Sequence, residues 1–366
     1  MMLPIDTERL FSTDTTDDNT LFKSLDDLIT NQNTLLSNSN LFKNAFTSGL
    51  YHEPWKEAGV RVDQLDGRDG LLQLPYADDT NLLKMLETRK SINNALLAKP
   101  RLWQISRGTN GQKKWLPITL NDVAFWFKRI RRLSSIIGLQ PNDPEKLVLA
   151  VNEPKPKVSN AIPYLWEQVD YILGGGRLEW LIVAMEMLHR NKWDKFSIQK
   201  QPEWYMSSVH DAFQLAEKMN LYGHEDVKSA LHSFERGFFW GEYLDGEDNL
   251  RSQIESIYGL PETFSLYLSA ECLEMYAECP AHDGLHLWMD SVIHEILLDN
   301  GDTKFVDQAS PGEEGEYVMT TFYEALPLVR YRTGDRVKVV SVEPCKCSIT
   351  HPRVNFIGRN KAPSRS

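Results

Sequence analysis

Near residue 250 the chain changes texture, and this change restricts its fold more than any other feature. Beyond it, "GEYVMTTF" (315–322) and "LPLVRY" (326–331) are rich in strand-forming residues. "RVKVVSV" (336–342) alternates apolar and polar positions, as a half-buried strand does. "RTGD" (332–335), with glycine third, predicts a tight turn between the last two strands. Ahead of this region, helical and strand patterns take turns. "LFKSLDDLI" and "LLSNSNLFKNAF" space apolar residues three and four apart. "LVLAV" (147–151) predicts a short buried strand, and "EPKPK" after it a stiff connector. "LEWLIVAMEMLHR" (178–190) is apolar around most of a helix and is expected between layers. "GGG" (174–176) has no hydroxyl or basic donor among its glycines, so it reads as a flexible link into that helix. Alternating elements followed by clustered strands predict an α/β class: layered α/β subdomains plus a β-rich, barrel-like region.

At 366 residues the chain exceeds one usual core, so two or more subdomains are expected. The reading places a helical region and entry to the core at 1–100 and an α/β binding core at 101–262. A β-rich region follows at 263–359, then a tail at 360–366. The net charge is −11, without the basic face that a non-specific nucleic-acid binder needs. "FKRIRR" (127–132), the densest basic run, sits among Phe125, Trp126, Ile130 and Leu133 and reads as a solvated helix face. No apolar run reaches membrane-spanning length, and the acidic, polar N-terminus lacks the form of a signal peptide. A cytoplasmic protein with no membrane partner is expected.

Two clusters carry chemistry. In "QISRGTNGQKKWLPIT" (104–119), Gly108 and Gly111 permit positive φ. Ser106, Thr109 and Lys113 offer hydroxyl and ammonium donors to an anion. The spacing is not that of the common P-loop, and a plain polar turn is the competing reading. All four cysteines, Cys272, Cys279, Cys345 and Cys347, lie in the last third of the chain. They are too few for a disulfide framework, and Cys-x-Cys in an intracellular protein points to metal ligation. A tetrahedral zinc on Cys279, Cys345, Cys347 and either His286 or His282 would be structural, since four protein ligands leave no open position. Thiols without metal are the alternative.

Four ordered blocks carry a resemblance. "EGEYVMTTFYEALPLVRYRTGDRVKVV" and "CKCSITHPRVNFIGR" look like the adenylate-forming enzymes, in their phenylacetate–CoA ligase branch. "FFWGEYLDGEDNLRSQIESIYGLPE" (238–262) resembles the branch's adenine-binding segment, and "AECPAHDGLHLWMDSVIHEILLDNG" (277–301) its next block. The loop at 104–119 falls where the family has its phosphate loop. The resemblance covers roughly residues 100–360 and implies the family's large N-terminal domain. It implies ATP, AMP and magnesium as ligands, and joining of a carboxylic acid to ATP as an acyl adenylate. Ser106, Gly108, Thr109 and Gly111 would surround phosphates, and Lys113 would hold the leaving pyrophosphate. Gly241 and Glu242 would lie beside adenine, with Tyr258 as its aromatic face and Gly259 letting the backbone approach. Glu262 matches the acidic residue associated with magnesium, Asp335 the ribose acceptor, and Arg359 the arginine before the family's hinge. His286 sits at the branch's histidine position.

The chain departs from the family at Arg107, Asn110, Gln112, Lys113 and Pro261. It ends at "GRNKAPSRS", where members continue into a small domain bearing an assisting lysine. The shortened form resembles proteins of phenazine antibiotic biosynthesis. The expected substrate is therefore an aromatic, phenazine-type carboxylate, activated but not carried through to a complete thioester by this chain alone. A partner enzyme would receive the acyl group. A degenerate member acting as a ligand-binding scaffold is the second expectation.

Overall fold

The computed structural model describes residues 19–38, 40–87, 96–100, 102–106, 114–123, 132, 136, 143–151, 169–175, 204–222, 234–246, 248–269, 271 and 274–360. The expected connector at 153–157 and helix at 178–190 lie outside these residues, as does Cys272.

Short helices open the chain: α1 (Leu25–Asn38), α2 (Leu41–Thr47), α3 (His52–Glu57), α4 (Gly67–Leu72) and α5 (Asp79–Leu86). The first two coincide with the apolar three-and-four spacing. Asp78 starts α5 with a reciprocal capping box shared with Asn81. This layer is tied to distant β structure by buried polar bonds. Gln32 donates its side-chain amide to Met289 O and Val292 O, and Arg68 pairs with Asp307 at 2.6 Å.

Fourteen strands follow among the described residues. β1 (Leu102–Ser106) and β2 (Lys114–Ile118) form a separate antiparallel pair. β3 (Asp143–Val151), β4 (Val169–Gly175), β5 (Trp204–Ser208), β6 (Arg236–Trp240) and β7 (Glu262–Ser269) run parallel in the order β4-β3-β5-β6-β7. The expected strand at 147–151 is the latter part of β3, and two of the three glycines at 174–176 close β4. Helices α6 (Val209–Tyr222) and α7 (Leu250–Tyr258) cover β5 and β6 with a second core containing Tyr205, Phe239, Ile254 and Tyr258.

The same sheet continues antiparallel through β8 (Glu274–Glu278), β9 (Leu285–His286), β10 (Val292–Leu298), β11 (Thr303–Phe305), β12 (Glu314–Thr321), β13 (Tyr331–Ser341) and β14 (Arg353–Arg359). The order from the edge inward is β11-β10-β12-β13-β14-β9-β8-β7. The expected barrel-like region is thus half of one open twelve-stranded sheet, not a closed barrel. Two-residue β9 bridges β8 and β14 and extends the sheet instead of letting it curl shut.

Three local expectations are corrected. "RTGD" is not a turn between strands but a bulge inside β13. Glu316 pairs with Arg336 while Val318 pairs with Arg332, so Thr333, Gly334 and Asp335 bow out of the ladder with β12. Gly334 takes φ +76, and Thr333 Oγ1 both accepts from Asp335 N at 3.1 Å and donates to Tyr317 O at 2.8 Å. "LPLVRY" reaches β13 only at Tyr331. Before it, Arg330 adopts φ +48 and donates to Leu72 O and Leu74 O, while its guanidinium pairs with buried Glu295. Arg132, expected on a solvated face, is buried: it pairs with Asp290 at 2.8 Å over the Trp288 ring. The rest of its basic run lies outside the described residues.

Candidate nucleotide site and Cys/His cluster

In an open parallel sheet, ligands bind beyond the carboxyl ends of the strands, where backbone and loop donors converge. Here those ends are aligned: Ser208 pairs with Trp240, and Trp240 with Leu266. Gly241 and Glu242 follow β6 directly and are exposed, with Gly241 at φ +100. They therefore sit at the carboxyl edge of the parallel strands.

Tyr258, Gly259 and Glu262 do not. Tyr258 ends α7, fully buried; its hydroxyl donates to Ala212 O at 2.6 Å and its ring stacks on Tyr205 at 4.8 Å. No face is left for adenine. Gly259 serves as the left-handed cap of α7 at φ +62. Glu262 is the first residue of β7, at its amino end, where it pairs with Arg236 Nε at 2.8 Å. Tyr267, near the other end of the strand, lies five positions further on, about 16 Å.

Nine residues along, the chain repeats the tyrosine-to-glutamate spacing with Tyr267 and Glu271, and this second copy lies at the carboxyl end. Tyr267 donates its hydroxyl to Asp335 Oδ2 at 2.7 Å and stacks on Phe356 at 3.6 Å. Asp335 pairs across β13 and β14 with Arg359, whose Nε donates to Asp335 Oδ1 at 2.5 Å. The expected ribose acceptor and hinge-side arginine are thus brought together. Burial raises the Asp335 carboxyl above its usual range, against the opposing pull of the Arg359 charge. Each carboxylate oxygen keeps a second lone pair, so two hydroxyls could still be accepted there.

Only the two ends of the expected phosphate loop are described. Ser106, the last residue of β1, pairs with Lys114, the first of β2. Arg107, Gly108, Thr109, Gly111 and Lys113 lie outside the described residues. The Lys114 ammonium reaches Asp79 Oδ1 at 2.6 Å and contacts Glu271, so the loop's base is fastened to the carboxyl end of β7. Sequence reasoning missed Lys114, Tyr267 and Glu271; the repeated tyrosine–glutamate spacing was the available signal. It also missed Arg251, which links Asp245 at 2.5 Å to buried Glu278 at 2.9 Å. No sequence pattern announces a network whose members are separated by helix α7 and strand β7.

The four predicted metal ligands converge. Cys279 Sγ, one ring nitrogen of His286, Cys345 Sγ and Cys347 Sγ all lie within 4.8 Å of one another. Cys279 and Cys345 sulfurs are 3.6 Å apart, and Cys347 Sγ is 3.5 Å from His286 Nε2. Tetrahedral zinc with bonds of about 2.0–2.3 Å sets ligand edges of roughly 3.5–3.8 Å. The donor set and its spacing therefore fit zinc. Burial, with the nearby Arg353 charge, pushes the His286 imidazole down to about 3, so it is neutral, as a ligand must be. Burial also pushes the Cys279 thiol up to about 12, so without a cation it holds its proton. His282 is not part of the cluster. Its ring stacks on Phe264 at 5.1 Å and faces Glu278 at 3.6 Å.

No protein-family model matches the chain. The phenylacetate-coenzyme A ligase of Pseudomonas putida is 26% identical over 306 residues, covering 80% of this chain and 62% of that protein. The phenylacetate-coenzyme A ligase of Thermus thermophilus is 26% identical over 321 residues, covering 85% and 65%. The chain spans less than two thirds of the length of these relatives. Among solved structures, 2-hydroxyisobutyryl-CoA ligase in an open conformation, in complex with 2-HIB-AMP and CoA, gives a TM-score of 0.70 at 16% identity. That match covers 93% of this chain and 77% of that one. An acyl acid amido synthetase in complex with 2,4-DB gives a TM-score of 0.56 at 12% identity, covering 98% and 72%. The mixed α/β architecture with its large sheet is the fold of these ligases. Among the described residues, no helix is long and apolar enough to cross a membrane.

Proposed function

We propose that the chain belongs with the phenylacetate–CoA ligase-like adenylate-forming enzymes and activates an aromatic carboxylic acid with ATP as its acyl adenylate. The observation that carries this reading is the junction of Tyr267, Asp335 and Arg359 at the carboxyl end of β7. The P. putida and T. thermophilus ligases support the substrate class, and the structure solved with 2-HIB-AMP and CoA supports the fold's use of an acyl nucleotide. Asp335 receives the ribose hydroxyls, with Arg359 holding its carboxylate in place. Gly241 and Glu242 line the adenine side, and residues 106–113 cradle the phosphates. Leu116, Ile118, Tyr323, Leu326 and Leu328 wall a small apolar pocket with Glu271 in its lining. The finer reading is a phenazine-type acid in antibiotic biosynthesis, its acyl group passed to a partner enzyme.

Zinc, when bound by Cys279, His286, Cys345 and Cys347, supplies a structural cross-link between the 279–286 and 345–347 loops, with no open position for chemistry. Magnesium fits less well. Glu262 carries Arg236, and Glu271 carries Lys114. That neutralisation favours a second reading, a nucleotide- or carboxylate-binding scaffold without chemistry. Incubation with ATP and a panel of aromatic carboxylates, phenylacetate and phenazine carboxylates included, separates the two. The first reading predicts acyl-AMP and pyrophosphate by mass spectrometry. Nucleotide binding without either product would leave the scaffold.

A further inference from the structure

Lys114 opens β2 at the base of the phosphate loop, with its side chain 5% exposed. Its ammonium lies between two carboxylates: Asp79, the first residue of α5, at 2.6 Å, and Glu271, just past β7, in direct contact. Neither carboxylate is otherwise idle. Asp79 accepts from Tyr331 OH, and Glu271 Oε2 accepts from Ser269 Oγ at 3.1 Å. The lysine is thus a fixed part of the site rather than a mobile surface chain. Burial by itself would lower its pKa, but Glu271 and Asp79 outweigh that and hold it above the ordinary lysine value. It stays charged throughout the neutral range.

A hard divalent cation needs several oxygen ligands at short range and is repelled by an ammonium already seated on the same carboxylate. Resting on the nucleotide reading above, we infer that Lys114 is the resident cation at Glu271: it takes the place of a divalent metal and makes nucleotide binding by this chain independent of one. The ammonium contributes a point charge next to the loop that would hold the phosphates, without the coordination geometry a metal would impose. Removing it would release a carboxylate at a site otherwise built to hold a cation.

Two measurements on the full chain test this. ATP affinity is measured calorimetrically in EDTA and in excess magnesium, and Mn2+ binding is followed by electron paramagnetic resonance without nucleotide. The native chain and Lys114→Arg should bind ATP with affinities that agree within about threefold in the two media, and should show no stoichiometric Mn2+ site. Lys114→Met, checked for folding by its melting curve, should gain a Mn2+ site and prefer magnesium-bound ATP by about tenfold or more. If Lys114→Met fails to fold, Glu271→Gln carries the test and should leave the native insensitivity to magnesium unchanged. A native ATP affinity more than about tenfold higher with magnesium, lost in Glu271→Gln, overturns the inference. So does a folded Lys114→Met indistinguishable from native. Absence of ATP binding in both media, with the Mn2+ results as expected, would reject the nucleotide reading and leave Lys114 in place of the metal.

Discussion

Asp335 is held on both sides, by Tyr267 and by Arg359, yet burial still lifts its carboxyl above the ordinary 3.8. The sign of the consequence follows from proton linkage. Between the unfolded and the raised folded value, the folded state binds more protons, so stability falls as pH rises. Urea midpoints of the native chain should therefore drop relative to Asp335→Asn as pH climbs from about 3 through the range just above 3.8. A difference independent of pH would remove the burial argument. Tyr258 makes the opposite kind of residue-scale claim. As a fully buried core ring, its replacement by alanine should cost about 3–5 kcal/mol in chemical denaturation. Tyr258→Phe should leave nucleotide affinity unchanged, because the hydroxyl is spent on Ala212. Loss of affinity in a well-folded Tyr258→Phe would return the tyrosine to the binding site.

At the scale of elements, the bulge in β13 positions Asp335, and two glycines show what such features require. Gly334 sits at φ +76 with open space around a would-be Cβ, so Gly334→Ala should cost only backbone strain, about 1–2 kcal/mol. Gly315 pairs with Leu298 where β12 runs antiparallel to β10, and a Cβ there would meet the backbone carbonyl of Leu297. Gly315→Ala should cost more than Gly334→Ala, about 3 kcal/mol, because backbone cannot yield as a side chain can. Parallel denaturation curves with the reverse ranking would contradict the described register. The strand at 336–342 was legible because one face is buried and the other is not, and that at 315–322 because strand-forming residues run through a segment buried on both faces. The bulge was not, since a glycine between hydroxyl and acid looks the same in a turn and in a bowed strand. Which end of β7 the expected adenine segment occupies was not legible for a related reason. Tyr258–Glu262 and Tyr267–Glu271 share one spacing, and only the sheet shows which end of β7 each occupies. The Cys/His set was readable because few residue types can converge for that purpose. Choosing His286 over His282 took the geometry, or the resemblance.

Across the whole molecule, the Cys/His cluster joins the end of β8 and β9 to the loop before β14, close to where the sheet passes from its parallel to its antiparallel half. One zinc per chain should appear in elemental analysis of protein prepared without chelator. Cys345→Ser should release it and lower the melting temperature, while His282→Ala should keep it; a metal-free, fully folded sample would sink the assignment. The central claim, that nucleotide binds at the carboxyl end of β6 and β7 with its ribose on Asp335, is tested most directly by calorimetric titration with AMP. The native chain should bind it, and Asp335→Ala should weaken binding by about 1–3 kcal/mol with the fold intact. No heat of binding at millimolar AMP, or an affinity unchanged in Asp335→Ala, would contradict the account.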